Sequence, residues 1–104
     1  MASPGVPLRV TLYTRPGCHL CDDLKRDLLE MQAALGFDLD ERNIEQHAAD
    51  FARFRYLIPV LDVPGGPLLT PPHDWFTVRT AIERAQEAQA GKAGKAEAND
   101  AEPT

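Results

Sequence analysis

The sequence predicts a single small α/β domain, and three observations carry that reading. A β-rich run alternates Leu8, Val10 and Leu12 with Arg9, Thr11 and Tyr13, turns at Pro16-Gly17, and leads into apolar residues at helical spacing. A second alternating stretch follows that helix after Gly36, which makes the helix a crossover of the right length to join two parallel strands. Further on, a proline-introduced apolar run, a Pro64-Gly65-Gly66-Pro67 turn and a Leu68-Leu69 pair read as a hairpin ahead of a last helix. The predicted order is strand, helix, strand, helix, strand, strand, helix.

Residues 1–7 hold two prolines and a glycine and read as an unpaired lead-in. The first strand is expected over 8–14. The first helix should open at Cys18 or His19, bury Leu20, Leu24, Leu28, Met31 and Leu35, and expose Asp22, Lys25, Arg26 and Glu30. Gly36 suits the position after its last turn. Residues 37–43 form a short strand at the sheet edge or one in from it. Residues 44–54 carry Ile44, Ala48, Phe51, Ala52 and Phe54 as a shorter second helix. A third strand spans 58–63 and a very short fourth is Leu68-Leu69. Asp74 is a good N-cap for a helix over 75–89 that buries Trp75, Val78, Ile82, Ala85 and Gln89, with Ala81 alongside. The domain is thus expected over 8–89. Residues 90–104 have no apolar side chain larger than alanine and are expected to form a disordered tail.

With 104 residues, 43% of them hydrophobic, the chain has material for one compact core. Its net charge of -5 argues against non-specific binding to nucleic acid or to an anionic membrane surface. No stretch approaches the roughly 20 apolar residues of a membrane span, and the first residues lack the pattern of a secretory signal, so the expected location is the cytoplasm. Thiols are kept reduced there, and a bridge across two residues closes almost no chain. The cysteines are therefore read as functional.

Those cysteines, Cys18 and Cys21, sit together at a predicted helix start. Unpaired N–H groups and the positive end of the helix dipole favour ionisation of a thiol there, and a protonated imidazole on His19 would add to the effect. The second thiol lies close enough to attack a mixed disulfide formed at the first, which is the arrangement that thiol-disulfide exchange requires. A structural zinc site needs four ligands, and only His19, His47 and His73 are at hand to supplement the two thiols. Redox chemistry is the better account, with Cys18 as nucleophile and Cys21 as resolving thiol.

At this point residues 8–89 resemble the glutaredoxin-like branch of the thioredoxin superfamily. The most specific features are Tyr13 to Cys21 and the Ile58-Pro59-Val60 step, which looks like that family's cis-proline. The resemblance implies a thioredoxin-like fold, a four-stranded mixed sheet with helices on both faces, and thiol-disulfide oxidoreductase activity. It also implies substrate-binding roles: Arg15 near a glutathione carboxylate, Ile58 and Pro59 flanking the sulfur, and Asp74 at the γ-glutamyl end. Two features depart from the family pattern. Thr70-Pro71-Pro72-His73 fills the place of the usual Gly-Gly pair, and His19-Leu20 stands between the cysteines instead of the common Pro-Tyr. No metal or organic cofactor is called for, and glutathione is left open as a co-substrate. The expected partners are a disulfide-containing protein or glutathione, with a reductase or glutathione as electron donor to a monomer. Two other readings stay open: an iron-sulfur carrier bridging two copies, and a redox-sensing module of the arsenate-reductase-like regulator type.

Overall fold

The computed structural model describes residues 7–94. β1 (Arg9–Thr14) leads through the Pro16-Gly17 turn into α1 (His19–Leu35), which returns the chain to β2 (Asp38–Asn43). A 3-10 turn (Ile44–Gln46) and α2 (Ala48–Phe54) come next, then β3 (Val60–Asp62), β4 (Leu68–Leu69) and α3 (Trp75–Gly94). The strands form one mixed sheet in the order β2-β1-β3-β4. β2 runs parallel to β1, as the helical crossover demands, while β3 is antiparallel to both β1 and β4. The predicted α/β class and four-stranded mixed sheet are those observed.

Strand alternation divides the core in two. Leu8, Val10 and Leu12 of the first strand region and Leu61 and Val63 of the third face Leu24, Leu28 and Met31 of α1 and Val78 and Ile82 of α3. On the other side of the sheet, Val60 packs with Ile44 and Phe54, and Tyr13, Phe51 and Ile58 close around them. The Tyr13 and Phe54 ring centroids are 4.5 Å apart. Burial, followed by the carboxylates of Asp62 and Asp50, pushes the Tyr13 phenol up, so it stays protonated at neutral pH. Helices therefore cover both faces, with α1 and α3 on one and α2 on the other.

Several element boundaries differ from expectation, each for a local reason. Leu20 does not join the buried stripe of α1 and is 60% exposed, whereas Cys21 is 2% exposed. With Cys18 as N-cap and His19 as the first helical residue, Leu20 lies roughly 80° around the helix from Leu28, and Cys21 only about 20°. The expected second helix splits in two because His47 is extended (φ -138°), with the Asn43 side chain accepting the Glu45 N–H ahead of the break. β3 begins at Val60, after Pro59, which has no N–H to give to the ladder. Trp75, expected in the core, is 40% exposed. It sits in the first turn of α3, with the Arg79 guanidinium 5.4 Å from its ring centroid. Finally, α3 continues to Gly94 through residues 90–94, which were assigned to a disordered tail. The alanine and glutamine content of 85–90 favours helix strongly enough to carry it past Gln89. The rest of that tail, 95–104, lies outside the described residues, as does most of the lead-in.

Gly36 ends α1 in the left-handed region (φ +78°), its N–H donating to the Gln32 carbonyl at 2.8 Å. A Cβ there would touch nothing within 4 Å, so the cost of substitution is conformational. Gly36→Ala is expected to lose about 1 kcal/mol in urea unfolding. Gly66→Ala, where φ is unexceptional and the nearest atom is 3.6 Å away, should lose clearly less; equal losses would contradict this account of the cap. In the same assay Leu28→Ala should cost about 3 kcal/mol and Leu20→Ala less than about 0.5. A large loss for Leu20→Ala would restore it to the core.

Candidate active site

The site is assembled where β1 gives way to α1. Gly17 adopts φ +80° and allows the turn that brings Cys18 to the helix start. Cys18 is the N-cap, extended at φ -92° and ψ 107°, and its carbonyl accepts the Asp22 N–H at 3.1 Å. Its Sγ accepts the backbone N–H of Cys21, also at 3.1 Å. The two cysteines are joined as a disulfide, with Cα atoms 5.2 Å apart. They are unequal in access: Cys21 is buried against the core, and Cys18 is half-buried at the rim. The outer sulfur is therefore that of Cys18. His19 and Leu20, between them, are exposed.

A second wall comes from two loops distant in sequence. The Ile58–Pro59 peptide bond is cis, as the resemblance implied, and so is Pro71–Pro72. Ile58 is half-buried against the small core under α2, and Pro59 is buried. The His73 imidazole donates its Nε2–H to the Pro59 carbonyl oxygen at 2.7 Å, tying the two loops together. A carbonyl can only accept, so the proton is on Nε2. Between these loops and α1 runs a groove of about 470 Å³ lined by Leu20, Asp23, Leu24, Asp27, Pro59 and the Pro71-Pro72-His73 wall. Sequence reasoning reads 70–73 as a segment that replaces the family's Gly-Gly pair and weighs His73 only as a zinc ligand, so it misses His73 as a residue of this wall. The signal available was a histidine directly after two prolines and just before the cap of the last helix. Asp23 and Asp27, one helical turn apart, are not singled out by the sequence reading at all.

The remaining predicted residues are engaged elsewhere. Arg15 pairs with Glu45 at 3.5 Å, both side chains being well exposed. The Asp74 Oδ2 accepts the Thr77 N–H at 2.9 Å and the Thr77 hydroxyl at 3.1 Å, which is helix capping. Neither Arg15 nor Asp74 lines the groove. Asp23 pairs with Arg26 at 2.6 Å. Asp27, half-buried, makes no hydrogen bond or ion pair among the described residues and interacts with Arg26 only through its field. Among the described residues no group of three or more His, Cys, Asp or Glu side chains is arranged to hold a metal ion. No described helix is long and apolar enough to cross a membrane.

Comparison with known proteins places this geometry. The chain is similar to target protein XcR50 from X. campestris, whose X-ray structure shares 31% identity at a TM-score of 0.62 over 72% of this chain and 96% of that one. It is similar to protein Ne2328 from Nitrosomonas europaea, at 26% identity and a TM-score of 0.62 over 77% and 96% of the two chains. Thioredoxin 1 from Thermosipho africanus TCF52B shares the fold at 11% identity, with a TM-score of 0.64 over 80% of this chain and 99% of its own. No curated protein sequence matches the chain. The family model described as Glutaredoxin-like domain (DUF836) matches residues 9–83, a span from β1 into α3 that includes both cysteines and both cis-prolines. The chain belongs to that glutaredoxin-like family of the thioredoxin superfamily.

Proposed function

We propose that the protein is a thiol-disulfide oxidoreductase that reduces disulfides of other proteins through the Cys18–Cys21 dithiol. The observation that carries this reading is the asymmetry of the pair: a rim cysteine at the N-terminus of a long helix, bonded to a buried one within the same turn. In the reduced protein the Cys18 thiolate attacks one sulfur of a substrate disulfide. A mixed disulfide forms and the substrate's other sulfur leaves as a thiolate, taking a proton from water. The Cys21 thiolate then attacks the Cys18 sulfur, the second substrate thiolate departs, and the protein is left with its own disulfide. Two electrons have moved to the substrate. One dithiol, or two equivalents of a monothiol, restores the starting state. The electrons travel through sulfur alone, so no metal or organic group enters the steps.

The Cys21 N–H that bonds the Cys18 sulfur supports the nucleophile in this scheme, because a donor aimed at sulfur favours the thiolate. A protonated His19 would contribute positive charge from the same turn. Pro59 and Ile58 flank the partner's backbone at the site. The cytoplasm, where thiol reductants are abundant, is the compartment that suits such a cycle. Glutathione is the less favoured substrate: Arg15 is held by Glu45, Asp74 by Thr77, and the Pro71-Pro72 wall fills the place of a glycine pair.

Limiting iodoacetamide on the reduced protein at neutral pH should label Cys18 well ahead of Cys21 in peptide mass maps. Preferential labelling of Cys21 would reverse the assigned roles. The wild type should reduce insulin when dithiothreitol regenerates it and turn over weakly in a glutathione-coupled assay, while Cys21→Ser should trap protein partners as mixed disulfides. Robust glutathione-dependent activity of Cys21→Ser would instead show that one thiol and glutathione suffice, with Arg15, Pro59 and Asp74 holding the tripeptide.

A further inference from the structure

The groove beside the disulfide has a composition that selects among substrates. Its floor and walls are apolar, formed by Leu20, Leu24, Pro59, Pro71 and Pro72, and its titratable members are Asp23, Asp27 and His73. No lysine or arginine lines it. Leu20 stands between Cys18 and Cys21 in the chain, is 60% exposed and lines the groove, so the groove comes within one residue of the reacting bridge and presents apolar surface there to solvent. The hydrogen bond from His73 to the Pro59 carbonyl holds the opposite wall in place without a ligand. The two carboxylates differ in compensation. Arg26, outside the groove, neutralises Asp23, whereas Asp27 has no bonded partner among the described residues and is half-buried, where its field is less screened than at an open surface.

From these features we propose that the groove binds the chain of a protein substrate next to its disulfide, and prefers an apolar residue adjacent to a lysine or arginine. The apolar side chain covers Leu20 and the prolines, and the cation reaches Asp27. This assignment rests on the dithiol reading above and deepens it by naming the substrate class. Glutathione fits it poorly, since it carries two carboxylates against one ammonium and offers no apolar side chain of any size. An acidic peptide fits it poorly for the same electrostatic reason.

The test uses the full reduced chain and three peptides of one sequence, each with a cysteine in mixed disulfide with 2-thiopyridine and a neighbouring Leu-Lys, Leu-Gln or Leu-Glu. Attack by Cys18 on the peptide sulfur releases pyridine-2-thione, whose absorbance reports the second-order rate constant. The Leu-Lys peptide should react about fivefold faster than Leu-Glu, the scale of one partly exposed ion pair. Leu-Gln should fall between them. Salt at about 1 M, where the screening length is near 3 Å, should shrink the ratio towards one, and Asp27→Asn should do so at low salt. Equal rates for the three peptides, or a preference for Leu-Glu, would overturn the groove assignment and leave the dithiol chemistry standing. No reaction with any peptide would overturn both. The salt series on the wild-type protein decides the matter even if Asp27→Asn folds poorly.

Discussion

A helix can present its first residue and its third or fourth to very different surroundings, and the chemistry of this protein depends on that. Cys18 caps α1 with its sulfur turned onto the Cys21 N–H, and Cys21 turns into the core beside Leu24 and Leu28. Packing anchors the second sulfur while the first stays at the rim. Were the buried stripe displaced by one residue along α1, the helix would rotate by roughly 100° about its axis and carry Cys21 away from the sheet. Both sulfurs would then lie outside the core. Burial of the leucine stripe and the N-cap hydrogen bond thus act together: the stripe sets the rotation of α1 about its axis, and the cap sets where it begins.

The sheet brings the rest of the site to that helix end. β1 lies between β2 and β3, so the turn after β1 and the loop before β3 emerge on the same edge of the layer. Antiparallel pairing of Tyr13 with Val60 places Pro59 just before the first paired residue of β3 and near the start of the turn that carries Cys18. The short hairpin through β4 then leads to the 70–73 loop, where His73 meets the Pro59 carbonyl. Three segments separated by up to 50 residues or so along the chain form one wall and one floor because sheet pairing fixes their ends.

The family match spans the disulfide and both cis-prolines, and the charges of Arg15 and Asp74 are engaged within the fold. The arginine before the cysteine pair is answered by Glu45 from the 3-10 turn after β2. The aspartate at the start of α3 is occupied by its own helix. In their place the face nearest Leu20 carries carboxylates from the exposed side of α1. Apolar surface and positive charge complement such a lining better than a small anionic thiol does, which is the physical basis of the proposed substrate preference.

Much of the fold was legible in the sequence because it rests on local signals. The alternation of Leu8, Val10 and Leu12, the stripe of Leu24, Leu28 and Met31, the glycine stop at Gly36 and the cap at Asp74 each depend on neighbours within a few residues. The cysteine spacing pointed to the Cys18–Cys21 pairing for the same reason. What only the tertiary structure decided depends on contacts between distant segments and on where a helix ends relative to the sheet. Leu20 and Trp75 have the spacing of core residues and yet stay exposed, Leu20 by its angle around α1 and Trp75 by its place in the first turn of α3. The pairing of Arg15 with Glu45 joins residues 30 apart. The bond of His73 to Pro59, 14 residues away, joins two loops whose periodicity is broken by proline. Spacing reports which residues share a face, and only packing decides what that face meets.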